Sequence, residues 1–291
     1  MNEWQSPDVN RSQVLPIVIA AMVVLAGCNA LTGDDDTETD TPTVTPVDVP
    51  TDEPTATPVP VLAPGLTEAG VVSASDLADA HEAALADGSF TYVSNHTVRY
   101  GNGTLRSRLT TTAHVANATG PFYSVRNATG PFISSDSSQI LEVWSDGERV
   151  FTNPENSTSV RDPSRSLYSF RGRDQFIKLF NALETRVVGQ ETRNGTELYR
   201  IRATSVANPE YLPRLGLNAS KNPRNISFRA LVDSEGIVRS YHLAYTATDI
   251  RRGVETAKRL TQSLRYTDIG STVVERPDWY EAANHTTTAV G

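Results

Sequence analysis

The chain has one cysteine, Cys28, in 291 residues. A disulfide framework and a thiolate metal site are thereby excluded. It has three lysines, Lys178, Lys221 and Lys258, so nearly all its positive charge is arginine. Its longest uncharged apolar run, Val14 to Gly27, is 14 residues. A helix needs about 20 to cross the hydrocarbon of a bilayer. No run of basic residues stands out, which removes the electrostatic footprint expected of a nucleic-acid binder.

What is present at the N-terminus is an address. A polar stretch with one basic residue, Arg11, leads into VLPIVIAAMVVLAG and then Cys28. A short apolar run at the extreme N-terminus reads as the core of a signal peptide. Leu25-Ala26-Gly27-Cys28 resembles the lipobox of secreted lipoproteins. That resemblance implies cleavage before Cys28, lipid on its thiol, and a signal peptide over residues 1–28. The other reading is a short uncleaved anchor with Cys28 buried. The localisation expected is the cell membrane, lipid-anchored, facing the extracellular side.

From residue 29 to 66 the composition changes to Thr, Pro and Asp, with eight acids and no Lys or Arg. Such a stretch buries too little apolar surface to offset chain entropy and is expected to be a disordered tether. As a flexible coil it would span roughly 35 Å. The whole chain carries a formal charge of -8. Beyond residue 66 the balance is 25 basic residues against 24 acidic. Nine Asn-X-Ser/Thr sequons follow, at Asn95, Asn102, Asn117, Asn127, Asn156, Asn194, Asn218, Asn225 and Asn284. Their density favours an exported, glycosylated surface. A segment beginning NATGPF occurs at Asn117 and again at Asn127, and its Gly-Pro pair reads as a turn or bulged segment.

Residues 67–283 read as one antiparallel domain, with 284–291 a flexible tail. A helix is predicted from Ser75, as N-cap, to Asp87, with Leu77, Ala80, Ala84 and Leu85 on its apolar face. Period-two alternation then dominates. Phe90, Tyr92 and Val98 share one face, and Asn95, Thr97 and Arg99 the other. Turn signals at Gly101-Asn102-Gly103, Ser145-Asp146-Gly147, Arg193-Asn194-Gly195 and Ser234-Glu235-Gly236 punctuate long strands. A second helix is predicted near Arg173 to Leu183, with Phe176, Ile177, Phe180 and Leu183 as its stripe. Asn95 and Asn225 fall on the parity opposite the apolar residues of their strands, as a glycan must. The pattern gives an α+β class with a single curved antiparallel sheet and helices packed on its apolar face.

The order of helix, hairpins, helix and hairpins, closing on Arg265-Tyr266-Thr267-Asp268-Ile269-Gly270 and Val273 to Tyr280, resembles the lipoprotein-carrier (LolA-like) superfamily. More closely it resembles haloarchaeal cell-surface lipoproteins with a domain of that type. The resemblance covers roughly residues 67–283. It implies a half-open barrel whose concave apolar face, capped by helices, holds lipid or acyl chains.

Catalytic patterns are hard to find. No Gly-X-Ser-X-Gly elbow is present, and the five histidines, His81, His96, His114, His242 and His285, lie at no ligand spacing. Each reads as a surface or sheet-face residue. Glu142 and Glu197 are conceivable as an acid/base pair. No cofactor, no metal and no catalytic residue is assigned, and the protein is not expected to be an enzyme. The segment Ala207 to Arg224 has three prolines and the apolar residues Tyr211, Leu212, Leu215 and Leu217. It is expected to be either a lid or ordinary core at a sheet edge.

Two functions remain. The first is a binding module for an apolar small molecule or lipid, with Tyr92, Trp144, Phe228, Tyr241 and Leu243 lining the cavity. The second is a structural or interaction protein of the cell envelope with a fully packed sheet. The expected partners are the membrane, through lipid on Cys28, and the apolar ligand. Nucleic acid is excluded, and no protein partner is identified.

Overall fold

A computed structural model describes residues 60–131, 139–154, 159–161, 170–214 and 220–281. The lipobox with Cys28, nearly all of the expected tether, and Leu215, Leu217, Asn156, Asn218 and Asn284 lie outside them.

The folded body begins earlier than the composition suggests. Three short strands, β1 (Val61–Ala63), β2 (Leu66–Thr67) and β3 (Gly70–Val71), form a small antiparallel sheet. Ala63 and Leu66, expected to close the tether, are buried in the main core. Gly65 turns the chain between β1 and β2 at φ 71°, where a side chain would strike the backbone of Ser73.

Helix α1 (Ala74–Ala84) follows. Ser73, not the expected Ser75, caps it: the Asp76 N–H donates to the Ser73 hydroxyl at 3.3 Å. Its buried stripe is Ala74, Leu77, Ala78 and His81, continued by Leu85. This is the same helix rotated toward the core by about one residue from the expected face. Helix α2 (Arg173–Ala182) agrees with its predicted span and buries Phe176, Leu179 and Phe180. The helices are joined by Arg171–Glu82 at 3.3 Å and by Arg173 with Asp79.

Eleven strands make the main sheet. The first run is β4 (Phe90–Tyr100), β5 (Leu105–Val115), β6 (Phe122–Thr129), β7 (Gln139–Ser145), β8 (Val150–Pro154) and β9 (Ser159–Arg161). The second is β10 (Leu183–Arg193), β11 (Thr196–Val206), β12 (Ser220–Asp233), β13 (Val238–Arg251) and β14 (Val254–Thr267). Every neighbouring pair is antiparallel, in the order β10-β11-β12-β13-β14-β4-β5-β6-β7-β8-β9. Two meanders are thus joined where the last strand, β14, pairs with the first, β4. Strands β9 and β10 are the open edges.

The expected faces hold. Phe90, Tyr92 and Val98 lie on the helix side, with Tyr92 opposite Tyr266 and Val98 opposite Leu260. Asn194 and Gly195 take φ 50° and 78°, as a tight hairpin requires. One core runs along the helix side from Phe122 on β6 to Val187 on β10. A second, smaller cluster of Trp144, Phe151 and Tyr280 sits on the opposite face.

Candidate functional site

The strand register decides which side chains meet. On the helix side, one cross-strand row reads Phe228, Leu243, Gln262, His96, Leu109, Ala128 across β12, β13, β14, β4, β5 and β6. The adjacent row reads Tyr241, Leu264, Ser94, Thr111, Arg126. Tyr92 stands in the row beyond, between Tyr266 and Ala113. Four of the five expected lining residues, Tyr92, Phe228, Tyr241 and Leu243, therefore share one face of the sheet.

Trp144 does not join them. It pairs with Tyr123 and Phe151, whose parity is that of the outer face. Residues 274–280 cover it there, with the Tyr280 ring 6.2 Å from Trp144 and 4.9 Å from Phe151. The Trp279 indole and the Tyr123 hydroxyl both donate to Glu142 on this face. Burial beside that carboxylate pushes the Tyr123 phenol up to about 12. Large apolar residues were expected only on a single buried face. The closing segment supplies a second cover, which parity alone does not reveal.

Helix α2 packs onto the four that remain. Phe180 meets Phe228 edge-on at 6.0 Å, and Phe176 meets Tyr241 at 6.1 Å. Gln175 donates to the Tyr241 hydroxyl. Phe170 lies 5.4 Å from Tyr92, and its carbonyl accepts from Tyr266 at 2.7 Å. Burial raises the Tyr241 and Tyr266 phenols well above their ordinary value, so both hydroxyls stay protonated.

Past the helices the same face turns polar. The Gln262 side chain is 3% exposed, and its buried carbonyl oxygen has no hydrogen-bond partner. Beside it, burial first and the positive charge of Arg126 second lower His96 to about 4, so the imidazole is neutral at pH 7. Ser94 and Thr111 are buried one row away. On β14, Gln262 is a lapse in the apolar parity of Leu260, Leu264 and Tyr266. The register shows that the lapse adjoins His96.

The segment after β11 behaves as core at its base. Pro209–Tyr211 is a single 3-10 turn, Leu212 is buried, and Tyr211 is 45% exposed. Asn208 donates to the Asn181 carbonyl at 2.7 Å, and the Tyr245 hydroxyl donates to the Pro213 carbonyl. A groove of about 440 Å³ separates Gln175 and Lys178 on α2 from Tyr211 and Pro213. The end of the expected loop, from Ser220, is instead strand β12.

Glu142 and Glu197 do not form a pair. Seven strand steps separate β7 from β11, roughly 34 Å at the usual inter-strand spacing. His81, expected at the surface or on a sheet face, is fully buried on the core side of α1, edge-on to Phe176 and Tyr266. Arg106 is also buried, beside the register shift between Val98 and Arg99. Among the sequons, Asn225, Asn102 and Asn194 are exposed. Asn95, Asn117 and Asn127 are half-buried, and Thr97 donates to Asn95 at 3.0 Å. Among the described residues, no three of His, Cys, Asp or Glu converge as metal ligands.

The model of one protein family matches residues 13–283: the family of unknown function DUF7537. The chain belongs to that family. No curated protein matches it. Among solved structures, LprF from Mycobacterium bovis is similar over 70% of this chain and 96% of its own, at 11% identity and a TM-score of 0.38. A DUF1329 family protein from Desulfovibrio piger covers 74% and 97%, at 14% identity and a TM-score of 0.25. A domain described as an outer-membrane lipoprotein-sorting protein, from Vibrio parahaemolyticus, covers 72% and 96%, at 7% identity and a TM-score of 0.24.

Proposed function

We propose that this DUF7537 member is a non-enzymatic binding module, held on the outside of the cell membrane by lipid on Cys28. Its helix-covered sheet face takes an apolar ligand that carries a hydroxyl or amide N–H. The observation behind this reading is the buried oxygen of Gln262. A buried acceptor left unpaired costs roughly 1–3 kcal/mol, and native folds keep few of them. A ligand hydroxyl would satisfy it, while Leu243, Leu264 and Leu109 around it would hold an apolar chain. A mostly apolar wall with few polar anchors is the usual make-up of a small-molecule site.

The half-barrel shape belongs to the same proposal. Eight strands, β10 to β6, share one continuous core under two helices. Laid flat they would be roughly 34 Å wide at the usual strand spacing. Two helices side by side cover about 20 Å. Open sheets beyond about ten strands usually curl, and curling would close the difference.

One observation favours a second reading, a packed structural protein of the envelope. Phe228 and Tyr241, expected to line a cavity, are filled against by Phe180 and Phe176. A fluorescent long-chain alcohol, titrated into the full-length protein, separates the two. The binding module gives saturable uptake near one per chain, lost in Gln262→Leu while that variant stays folded. A packed protein takes up no probe, and Gln262→Leu only makes it more stable.

A further inference from the structure

The face of the sheet turned away from the helices carries a different chemistry. A groove of about 510 Å³ opens there across β10 to β14 and the start of β4. Five arginines and one carboxylate, Glu191, line it, in a chain whose overall charge is negative. Its floor includes Leu231 and Val93, with the hydroxyls of Ser240 and Ser263 beside them.

The register concentrates the charge. Arg186, Arg202 and Arg229 stand directly opposite one another on β10, β11 and β12. Arg229 continues to His242 on β13 and Ser263 on β14. In the next row, Arg200 leads through Leu231 and Ser240 to Arg265. Like charges directly opposite on a sheet destabilise it. A cross-strand acid would offset it. Here Glu191 takes up Arg193 at 2.7 Å and Arg200 at 3.8 Å, both at the rim. Among the described residues Arg202, Arg229 and Arg265 have no carboxylate within ion-pair distance.

A glycine also serves the arrangement. A side-chain carbon on Gly189 would come within 2.5 Å of the Arg200 guanidinium, which lies across that strand. The bare backbone lets Arg200 lie across β10 at the edge of the groove.

We infer that this groove is a binding site for a small ligand bearing two or more phosphate or carboxylate groups, held by Arg202, Arg229 and Arg265 with Arg200 at one end. The planar guanidinium fork matches both anion types. The volume is that of a small-molecule site. Spacing of about 5 Å across strands suits adjacent anionic groups on one ligand. An anion here would also remove the repulsion that the row otherwise carries. This site is independent of the apolar one, which occupies the other face.

The test is calorimetric titration of the full-length protein at low ionic strength, with inorganic tripolyphosphate and, separately, with citrate. One-to-one binding of at least one probe is expected. The double variant Arg202→Gln, Arg229→Gln should weaken it about tenfold or more, the effect of losing one or two charge-assisted hydrogen bonds. Arg108→Gln, on the same face but outside the groove, should leave it unchanged. The double variant should melt no lower than the parent, because repulsion is removed; if it does not fold, Arg265→Gln serves in its place. Binding of tripolyphosphate alone assigns a phosphate ligand, and of citrate alone a carboxylate. Binding of neither probe, or an equal loss in Arg108→Gln, overturns the assignment.

Discussion

The backbone N–H of Val238 donates to Nδ1 of His81 at 3.1 Å, across 157 residues of sequence. This bond fixes α1 to the start of β13 and sets the tautomer, with Nδ1 as acceptor. Burial lowers His81 to about 3, so it stays neutral in the fold.

An acid sensitivity follows from that shift. Unfolded, His81 protonates near its ordinary 6.5; folded, it resists down to about 3. Its contribution to stability is therefore complete above 6.5 and is lost as pH falls from 6.5 toward 3. The loss approaches about 1.4 kcal/mol per pH unit in that window. Denaturant unfolding from about pH 7.5 down to about pH 4, for the parent and His81→Leu, measures it. The variant should be less stable at neutral pH by roughly 1–3 kcal/mol, since Val238 loses its acceptor. It should also lose less stability on acidification. Parallel pH profiles would show that His81 does not carry the effect.

Phe176 joins both helices to the sheet, with His81 at 4.7 Å and Tyr241 at 6.1 Å. It is fully buried. Phe176→Ala should cost about 3–5 kcal/mol, the usual range for a truncated core aromatic. Denaturant unfolding at neutral pH checks it, and a cost under about 1 kcal/mol would mean the helices are not docked as described.

Much of this fold is written in the sequence, and some is not. The turn signals at Arg193-Asn194-Gly195 and Ser234-Glu235-Gly236 fall between β10 and β11 and between β12 and β13, so those two hairpins are plain in the sequence. Helix α2 is equally plain from Phe176 and Phe180. Strand β6 is obscured because its last three residues, Asn127 to Thr129, open the second NATGPF segment, which looks like a turn; the first copy is a loop up to Pro121, closed by Asn117 accepting from the Gly120 N–H at 2.6 Å. Strands β8 and β9 are too short to show a period. The site was only half legible. Parity places Tyr92, Phe228, Tyr241 and Leu243 together, but Trp144 needs knowledge of what covers the outer face. The Gln262–His96 pair and the Arg186–Arg202–Arg229 row cannot be read at all without register, because each joins strands distant in sequence.

Gly189 offers a prediction with two separate readouts. Gly189→Ala should hold or raise stability by up to about 1 kcal/mol, as glycine is costly inside a strand. It should also push Arg200 aside and alter its contact with Glu191. Thermal melting reads the first effect. The salt dependence of anion binding reads the second, with fewer charges engaged. A large loss of stability would mean that Gly189 is needed by the backbone rather than by Arg200.

The proposed anchor is checked in cells. Cys28→Ser should release the protein to the medium or leave a precursor with its leader intact. Normal cleavage with full membrane retention would rule out lipid on Cys28 as the anchor.

The central claim is that the helix-covered face holds an apolar ligand by its polar group at Gln262. Native mass spectrometry with lipid extraction, on the full-length protein purified from its own cells, tests it most directly. The account predicts a co-purifying apolar molecule at one per chain, missing from Gln262→Leu. A bare protein mass in the parent, with no molecule in the extract, would contradict it.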